Sequence, residues 1–405
     1  MNRLISILLA AILIISTALF VCQAEEEDKP DLVQLLAAAE AGDAEAMNRL
    51  GVMYGNGDGV AKDPVMAMQW LEKAAAAGHA KAMLNLGVMY DWGRGIERDF
   101  AVAKVWYEKA AAAGQADAMY NLGTMYRDGR GVQQDHTMMM QWYERAAAAG
   151  QADAMYDLGI LYLNGAGVAQ DYAQAARWFE KAAEAGYVNA MYNIGCLYSD
   201  GHGIPQYYAQ AAQWFEKAAE AGVSDAMYNL GILYANGRGV PKDYDLMRQW
   251  FEKAAAAGDV KAMNNLGAAY ENGMGVTQDY TKAKQWYEQA AQAGYATAMH
   301  NLGCMYFNGP DAIQDYALAK QWFEKGANAG STKAMFNLAI MVYNGWGGTA
   351  DHALAKYWFE KAAKAGDAKA MYHLSVMYKN GDGVEQDQTT ADYWYQKALK
   401  NGYKP

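Results

Sequence analysis

Hydrophobic residues recur along this chain at the spacing of one helix face, in segments that alternate with glycine-rich turns. The first full segment places its apolar and small residues at Ala46, Met47, Leu50, Gly51 and Tyr54. Steps of three and four residues predict an amphipathic helix. The turn that follows, 56–60, reads Asn-Gly-Asp-Gly-Val, and its two glycines permit positive φ angles that a side chain would resist.

A second helix is predicted after each turn. In the first unit its apolar face comprises Ala67, Trp70, Leu71 and Ala74. Asp63 stands just before this helix, where an N-cap is needed, and nine of the ten units have Asp there, with Tyr207 as the exception. Gly78 follows the last turn of the helix, where a left-handed residue commonly ends it.

The helix pair repeats with a period of 36 residues. The methionine series runs through Met47, Met83, Met119, Met155, Met191, Met227, Met263, Met299, Met335 and Met371. Ten of the 12 tryptophans keep the same step. Because each pair alone leaves an apolar face uncovered, consecutive pairs must stack. The sequence therefore predicts an all-α fold, an α-solenoid of ten repeats over 43–402, with 31–42 as an N-terminal capping helix and 403–405 as a tail.

The first 24 residues have the pattern of an export signal. One basic residue precedes an uncharged apolar run over 4–21, and small residues follow at Cys22 and Ala24. We predict a signal peptide over 1–24, cleaved after Ala24, and an acidic leader over 25–30. The mature protein would then be periplasmic or secreted, with no membrane span. Two alternatives are a retained membrane anchor, because 18 apolar residues approach a bilayer-spanning length, and a lipidated N-terminus at Cys22.

Composition excludes several other classes of protein. Aromatic residues make up 13% of the chain and charged residues only 20%, which does not fit a disordered chain. A net charge of -11 repels phosphate backbones, so we expect no nucleic acid partner. The three cysteines are too few for a disulfide framework and too scattered for a zinc cluster. We therefore expect no metal and no cofactor.

The repeat unit resembles that of a known family. Its consensus AMYNLGxMYxxGxGVxxDxxxAxxWFEKAAxAG, present for example over 118–150, is similar to the Sel-one-like repeat, a relative of the tetratricopeptide repeat. The resemblance covers about residues 31–402. It implies a right-handed superhelix that acts as an adaptor holding protein complexes together, in bacterial envelopes, host-facing secreted proteins or the endoplasmic reticulum. Departures include Ala339 and Ser375 in place of the first-helix glycine and Pro310 in the eighth turn.

Catalytic chemistry finds little support in the sequence. The six histidines scatter over five repeat positions, and no H-E-x-x-H, S-x-x-K, G-x-S-x-G or P-loop motif is present. Cysteine-rich members of the resembled family have been linked to β-lactam binding and hydrolysis, but this chain lacks their cysteine pairs. Cys196 and Cys304 hold the same repeat position three units apart, beyond disulfide reach, and are expected to be small buried hydrophobes. We predict a non-catalytic protein.

The position two residues after each repeat methionine is the best candidate for partner binding. It lies opposite the apolar stripe of the first helix, so it is expected to face away from the core of its own repeat. It is asparagine in seven units: Asn85, Asn121, Asn193, Asn229, Asn265, Asn301 and Asn337. Asp157 takes the place in one further unit. Aromatic residues precede the row at Tyr120, Tyr156, Tyr192 and Tyr228.

We predict that this asparagine row, flanked by rings, lines a concave groove and grips an extended peptide through its donor and acceptor groups. The alternative is that each Asn bonds the adjoining repeat or its own loop, which explains the regular placement equally well. Trp92 and Trp346 are the two tryptophans outside the repeat position, and both stand beside turns. They serve either as contact anchors or as local packing.

The function predicted from these features is a non-catalytic protein-protein interaction scaffold, exported from the cytoplasm, that binds a protein or peptide partner. Two alternatives remain open. One is a secreted, host-directed virulence or invasion factor. The other is an enzyme acting on cell walls or β-lactams, as linked to the cysteine-rich relatives.

Overall fold

The computed structural model describes residues 32–310 and 313–404. The predicted signal peptide and acidic leader lie outside these residues. Within the described ranges the chain forms a short helix, α1 (Leu32–Glu40), and then ten pairs of helices, with no strand. None of these helices has both the length and the hydropathy needed to cross a bilayer. The prediction of an all-α fold with ten repeats is confirmed.

The first helices of the pairs take even numbers and the second helices take odd numbers. The first helices are α2 (Ala44–Asn56), α4 (Ala80–Trp92), α6 (Ala116–Asp128), α8 (Ala152–Asn164), α10 (Val188–Asp200), α12 (Ser224–Asn236), α14 (Val260–Asn272), α16 (Ala296–Asn308), α18 (Thr332–Asn344) and α20 (Ala368–Asn380). The second helices are α3 (Pro64–Ala76), α5 (Phe100–Ala112), α7 (His136–Ala148), α9 (Tyr172–Glu184), α11 (Tyr208–Glu220), α13 (Tyr244–Ala256), α15 (Tyr280–Gln292), α17 (Tyr316–Asn328), α19 (His352–Lys364) and α21 (Gln388–Lys400).

The described residues form two compact units, and the division falls at a repeat boundary. Unit 1 ends at Tyr187 and contains α1–α9, and unit 2 begins at Val188 and contains α10–α21. In each unit the two helices of a pair pack together, and the second helix packs on the first helix of the next pair. Leu35 and Ala39 of α1 join the apolar cluster of the first pair, beside Trp70. This stacking of helix pairs is an α-solenoid.

Caps at both ends explain where the helices start and stop. Asp63 accepts hydrogen bonds from the amides of Val65 and Met66, each at 3.0 Å, which satisfies two free N–H groups of α3. Aspartate begins eight other second helices in the same way. At the other end Gly78 has a φ of +85°. The amides of Gly78 and His79 bond back to carbonyls of the last turn, which is a Schellman stop.

The first-helix glycine lets the two helices of a pair approach closely. A Cβ added at Gly195 would lie 2.7 Å from the ring of Phe215, and that ring is only 1% exposed. The same contact, between a glycine and the side chain after the repeat tryptophan, recurs in eight repeats. Ala339 and Ser375 replace the glycine in the last two repeats and are themselves buried. In the first nine repeats the residue after the repeat tryptophan is therefore at the centre of the core.

The repeat tryptophans lie nearer the surface than the residue that follows them. Most are half-buried, as at Trp214, and a basic side chain covers the indole. Lys217 Nζ lies 4.0 Å from the centre of the Trp214 ring. Nine repeats have such a cation–π pair, and in the seventh repeat Gln289 stands in the basic position. The basic residue three positions after the tryptophan therefore contributes packing as well as charge in these repeats.

Tyr207 occupies the cap position of α11 and makes no side-chain cap hydrogen bond. Replacing Tyr207 with Asp is expected to stabilise the protein by about 0.5–2 kcal/mol, because a carboxylate satisfies free amides at the helix start. The tyrosine is 52% exposed, so little packing is lost. Urea unfolding measures the gain, with Tyr207→Ala as the control. Equal midpoints for the Asp and Ala variants would contradict the capping role.

Candidate functional site

The asparagine row lies where the first helices of consecutive repeats face each other. Its members from Asn85 to Asn337 are half-buried. The helices α2 and α4 contact each other directly in unit 1, and α16 and α18 do so in unit 2. A side chain at this position can therefore reach the neighbouring repeat.

In unit 1 two members of the row bond a residue 37 positions away. The Asn85 amide donates to the side-chain oxygen of Asn48 at 3.0 Å. The Tyr120 hydroxyl donates to the Asp157 carboxylate at 3.0 Å. In both pairs the partner in the earlier repeat directly follows the methionine position. Each bond is worth about 0.5–1.5 kcal/mol, so these residues link repeats 1 and 2 and repeats 3 and 4.

In unit 2 the same bonding continues along the row. The pairs are Asn229 with Tyr192, Asn265 with Tyr228 at 3.5 Å, Asn301 with Asn264 at 2.8 Å and Asn337 with the His300 ring at 3.1 Å. Asn193 also has an interaction partner. At the end of the series Phe336 and His373 meet as rings, with centres 5.6 Å apart. These side chains already bond the neighbouring repeat. A partner would therefore either make additional hydrogen bonds to them or break the existing ones.

The tyrosines of the candidate site pack on the core rings. The pairs are Tyr120 on Tyr143, Tyr156 on Phe179, Tyr192 on Phe215 and Tyr228 on Phe251, with ring centres 5.4, 5.7, 5.9 and 5.7 Å apart. All four candidate tyrosines are half-buried. Each therefore belongs to the packing of its repeat and still exposes part of its ring.

Asn121 differs from the rest of the row. The residue 37 positions before it, where the other members of the row find their partner, is Leu84, which is 8% exposed and offers no polar group. The Asn121 side-chain amide makes no hydrogen bond to another described residue. This amide lines a pocket of about 400 Å³ together with Tyr120 and Trp92. Trp92 is 60% exposed, so the pocket combines a free amide with an accessible indole.

An ion pair between two repeats holds one side of this pocket. Asp91, only 4% exposed, accepts from Arg130 Nη1 at 2.6 and 2.8 Å through its two oxygens. The Tyr107 hydroxyl donates to the same carboxylate at 3.2 Å. Arg130 Nη2 donates to the Thr124 hydroxyl at 3.0 Å. These hydrogen bonds therefore join four side chains of repeats 2 and 3 at the C-terminal end of α4, which carries Trp92.

A second set of charges connects the pocket with Asp157 of the row. Arg127 Nε donates to Asp128 at 2.8 Å, and Arg127 Nη1 lies 3.8 Å from Asp157. Burial raises the pKa of Asp157, opposed by the hydrogen bond from Tyr120. Burial and the nearby carboxylate raise the pKa of Tyr120, so its hydroxyl stays protonated and donates. Arg98 also lines the pocket and has no carboxylate partner among the described residues.

Cys304, His300 and Asn337 come together in unit 2, in an arrangement that resembles a nucleophile with its base. The Cys304 Sγ lies 3.4 Å from His300 Nε2, and the Asn337 amide lies 3.1 Å from the same nitrogen. Burial raises the pKa of the thiol to about 11 and lowers the pKa of the imidazole. Both groups are therefore neutral near pH 7, and the thiol is not activated. Across the described ranges, no three His, Cys, Asp or Glu side chains are arranged to hold a metal.

The sequence identifies the asparagine row, but it does not show which member of the row has an amide without an internal hydrogen bond. Trp92 and Asn121 are both candidates from the sequence, yet nothing in the repeat pattern shows that they meet in one pocket. The available signal was Leu84, because an apolar side chain leaves the next amide of the row without a partner. The pair of Asp91 and Arg130 joins residues 39 positions apart at positions that the repeat consensus does not fix.

Comparisons with known proteins agree with the repeat architecture. The model of the Sel1 repeat family matches ten consecutive segments: 44–79, 80–115, 116–151, 152–187, 188–223, 224–259, 260–295, 296–331, 332–367 and 368–403. These segments follow the predicted 36-residue period, so the resemblance to the Sel-one-like repeat is confirmed.

Two solved structures are similar to this chain. A protective antigen of uropathogenic Escherichia coli, described as displaying an SLR fold, is 32% identical with a TM-score of 0.65, and the match covers 92% of this chain and 90% of that one. A Sel1 repeat protein from Oxalobacter formigenes is 32% identical with a TM-score of 0.65, covering 76% of this chain and 90% of that one. No curated protein sequence matches the chain. The ten repeats and these relatives show that the chain belongs to the Sel1 repeat family.

Proposed function

We propose that this protein is a non-catalytic scaffold, exported from the cytoplasm, that binds a protein or peptide partner on the face formed by its first helices. Membership of the Sel1 repeat family supports a role in protein interaction, because stacked repeats present extended surfaces to other chains. The observation that carries the proposal is the pocket of Trp92 and Asn121 in unit 1.

Two properties of this pocket suit a peptide. The Asn121 amide offers one acceptor and two donors, and no internal hydrogen bond has to break before a partner uses them. Trp92 exposes 60% of its surface, and an indole is the kind of group that dominates binding energy when a partner covers it. Arg98 adds a cation at the same pocket; its guanidinium lies 5.6 Å from the centre of the Phe100 ring, and it has no carboxylate partner among the described residues. The main chain of a bound peptide could hydrogen-bond Asn121 while one of the peptide's side chains packs on Trp92.

The rest of the row supports the wider proposal of a groove. Asn85 and Asn337 bond the neighbouring repeat through their Nδ2 atoms. Their Oδ1 atoms stay available as acceptors, so a peptide N–H could bond them without breaking a link between repeats. We propose that the row continues the binding face in each unit and that this face is concave, as the sequence predicts.

Partner capture followed by titration tests this function. Proteins retained by the purified full-length chain are identified by mass spectrometry, and the purified partner is then titrated by calorimetry. We expect the double variant Trp92→Ala/Asn121→Ala to raise Kd at least about tenfold, because it removes an anchor ring and an unpaired amide.

The matched control for this titration is Trp346→Ala. Trp346 also stands beside a turn, in unit 2, and is 39% exposed, but its ring packs on Phe307 with centres 5.2 Å apart. We expect this control to bind as the wild type does. A partner that binds the double variant and the wild type equally well would show that the Trp92 pocket is not the binding site.

Export and destination form a separate part of the proposal. Export rests on residues 1–24 of the sequence, and a chain lacking them is expected to stay in the cytoplasm. A host-directed role is the second candidate, because the similar Escherichia coli protein is named a protective antigen. Fractionating native cells separates the two: a periplasmic adaptor stays with the envelope, and a secreted factor is found in the medium.

A further inference from the structure

One row of residues in unit 2 becomes basic in the last two repeats. It is the position two residues before each repeat methionine, and its members are Asn189, Asp225, Lys261, Thr297, Lys333 and Lys369. Lys261 Nζ lies 3.9 Å from the Asp225 carboxylate. Lys333 and Lys369 are exposed and have no carboxylate at ion-pair distance among the described residues. The last two repeats therefore present two unpaired cations from consecutive first helices.

These two cations and Lys404 line a pocket of about 600 Å³, which we call the lysine pocket. The carboxylate that lines it, from Asp367, already accepts from the Ala370 amide at 2.8 Å as the N-cap of α20. His300 also lines the pocket, and burial lowers its pKa, so it is uncharged near pH 7. Three lysines against one aspartate leave a net positive charge.

Two aromatic rings give the lysine pocket apolar surface, and each of them packs on another ring. Phe336 packs on the core ring of Phe359 with centres 5.9 Å apart, and Tyr403 stacks on Tyr372 at 4.4 Å. Rings held by such packing lose little freedom when a ligand covers them. The pocket therefore combines packed aromatic surface with exposed cations, which suits a ligand that is both acidic and apolar.

We infer that the lysine pocket binds an acidic segment of a partner protein, in which carboxylate side chains stand next to an apolar one. The inference rests on the proposed function, because it names the kind of sequence that the scaffold holds at its last repeats. The protein as a whole carries a net charge of -11, so a cluster of unpaired lysines is a local reversal of sign. Such a reversal favours a partner of complementary charge.

The spacing of the cations favours a peptide over a small anion. Lys333 and Lys369 belong to separate first helices, α18 and α20, in consecutive repeats. Side chains on one face of an extended peptide recur about every 6–7 Å, so successive carboxylates can meet the two lysines separately. A single phosphate has one centre of charge and meets such a pair less well.

Fluorescence anisotropy with a defined peptide tests the inference on the purified full-length protein. The probe is a labelled peptide of roughly ten residues in which Glu alternates with Phe or Leu, and the comparison peptide has Gln in place of Glu. We expect Lys333→Gln/Lys369→Gln to weaken binding of the Glu peptide at least about tenfold. The Gln peptide is expected to bind the wild type at least about tenfold more weakly, and about 0.5 M NaCl to weaken binding of the Glu peptide.

The matched control is Lys81→Gln, which changes the same repeat position in unit 1 and is expected to leave the affinity unchanged. Equal affinity of the wild type and the double lysine variant would overturn the inference, as would equal affinity for the two peptides. Displacement of the peptide by an equal concentration of inorganic phosphate or single-stranded DNA would also overturn it, by assigning the pocket to another anion.

The outcome is distinguishable from a failure of the proposed function. If the Glu peptide does not bind while a captured partner still depends on Trp92, the inference fails and the scaffold role stands. If the Glu peptide binds as expected but the double variant Trp92→Ala/Asn121→Ala leaves the Kd of the captured partner unchanged, the inference about the lysine pocket stands. The Trp92 pocket is then not the binding site.

Discussion

Replacing Phe215 with alanine is expected to lower the free energy of unfolding of unit 2 by about 3–5 kcal/mol. The ring is 1% exposed and packs against Gly195, with Tyr192 over it at 5.9 Å between ring centres. Its removal opens a cavity that neighbours fixed on two helices can fill only in part. Native-state hydrogen exchange over 188–223 measures the loss, because it reports the opening of individual repeats.

The adjacent residue provides a matched control for this prediction. Trp214→Ala removes a larger ring from the same helix and brings the same gain in helix propensity. Trp214, however, is half-buried, and one face of it is covered by the flexible side chain of Lys217. We expect its loss to be clearly smaller than that of Phe215→Ala. An equal or larger loss at Trp214 would show that the tryptophan is the main core residue.

The fold could be predicted because each repeat gives the same evidence again. A single Gly57 or Asp63 is a weak signal, but ten turns and nine caps at one spacing leave a single interpretation. The same periodicity does not show which residue of the second helix is the most buried. Tryptophan is the most conspicuous residue of the unit, yet the fully buried ring is the next one, as at Phe215. The contact of that ring with the first-helix glycine depends on how two helices approach, which spacing alone does not show.

The candidate site was less predictable for a related reason. A helical position tells which way Asn301 points relative to its own repeat, but its partner Asn264 belongs to the previous repeat. Identifying such a bond requires the register between neighbouring first helices, which only the packed structure supplies. Once that register is known, the sequence predicts the bonding. A polar residue directly after one repeat methionine predicts a hydrogen-bonded side chain in the next repeat. The apolar Leu84 predicts that the Asn121 amide has no such bond.

The links between repeats have a consequence for how the binding face is held. Each repeat contacts only its neighbours, so the stability of a solenoid is close to a sum of repeat and interface terms. A hydrogen bond such as that between Asn301 and Asn264 contributes to an interface term. Because these bonds lie on the proposed binding face, a substitution there changes the coupling of repeats as well as the binding surface. Tests of binding on this face need Asn121, whose side chain carries no such link.

Replacing Arg130 with alanine is expected to destabilise unit 1 by about 3–5 kcal/mol, because it leaves a buried carboxylate without its counter-ion. Asp91 is 4% exposed, and Arg130 donates to both of its oxygens. The Tyr107 hydroxyl remains as a donor at 3.2 Å, but a neutral donor does not balance the charge. Hydrogen exchange over 80–151 measures the loss, since the pair joins repeats 2 and 3.

A second substitution separates the charge from the loss of packing. In the Arg130→Ala background, Asp91→Asn removes the stranded charge and keeps an acceptor for Tyr107, so we expect most of the lost stability to return. If Asp91→Asn restores nothing, Arg130 acts through packing alone. If stability returns but partner binding does not, the ion pair also fixes the adjacent Trp92 in the position that the partner requires.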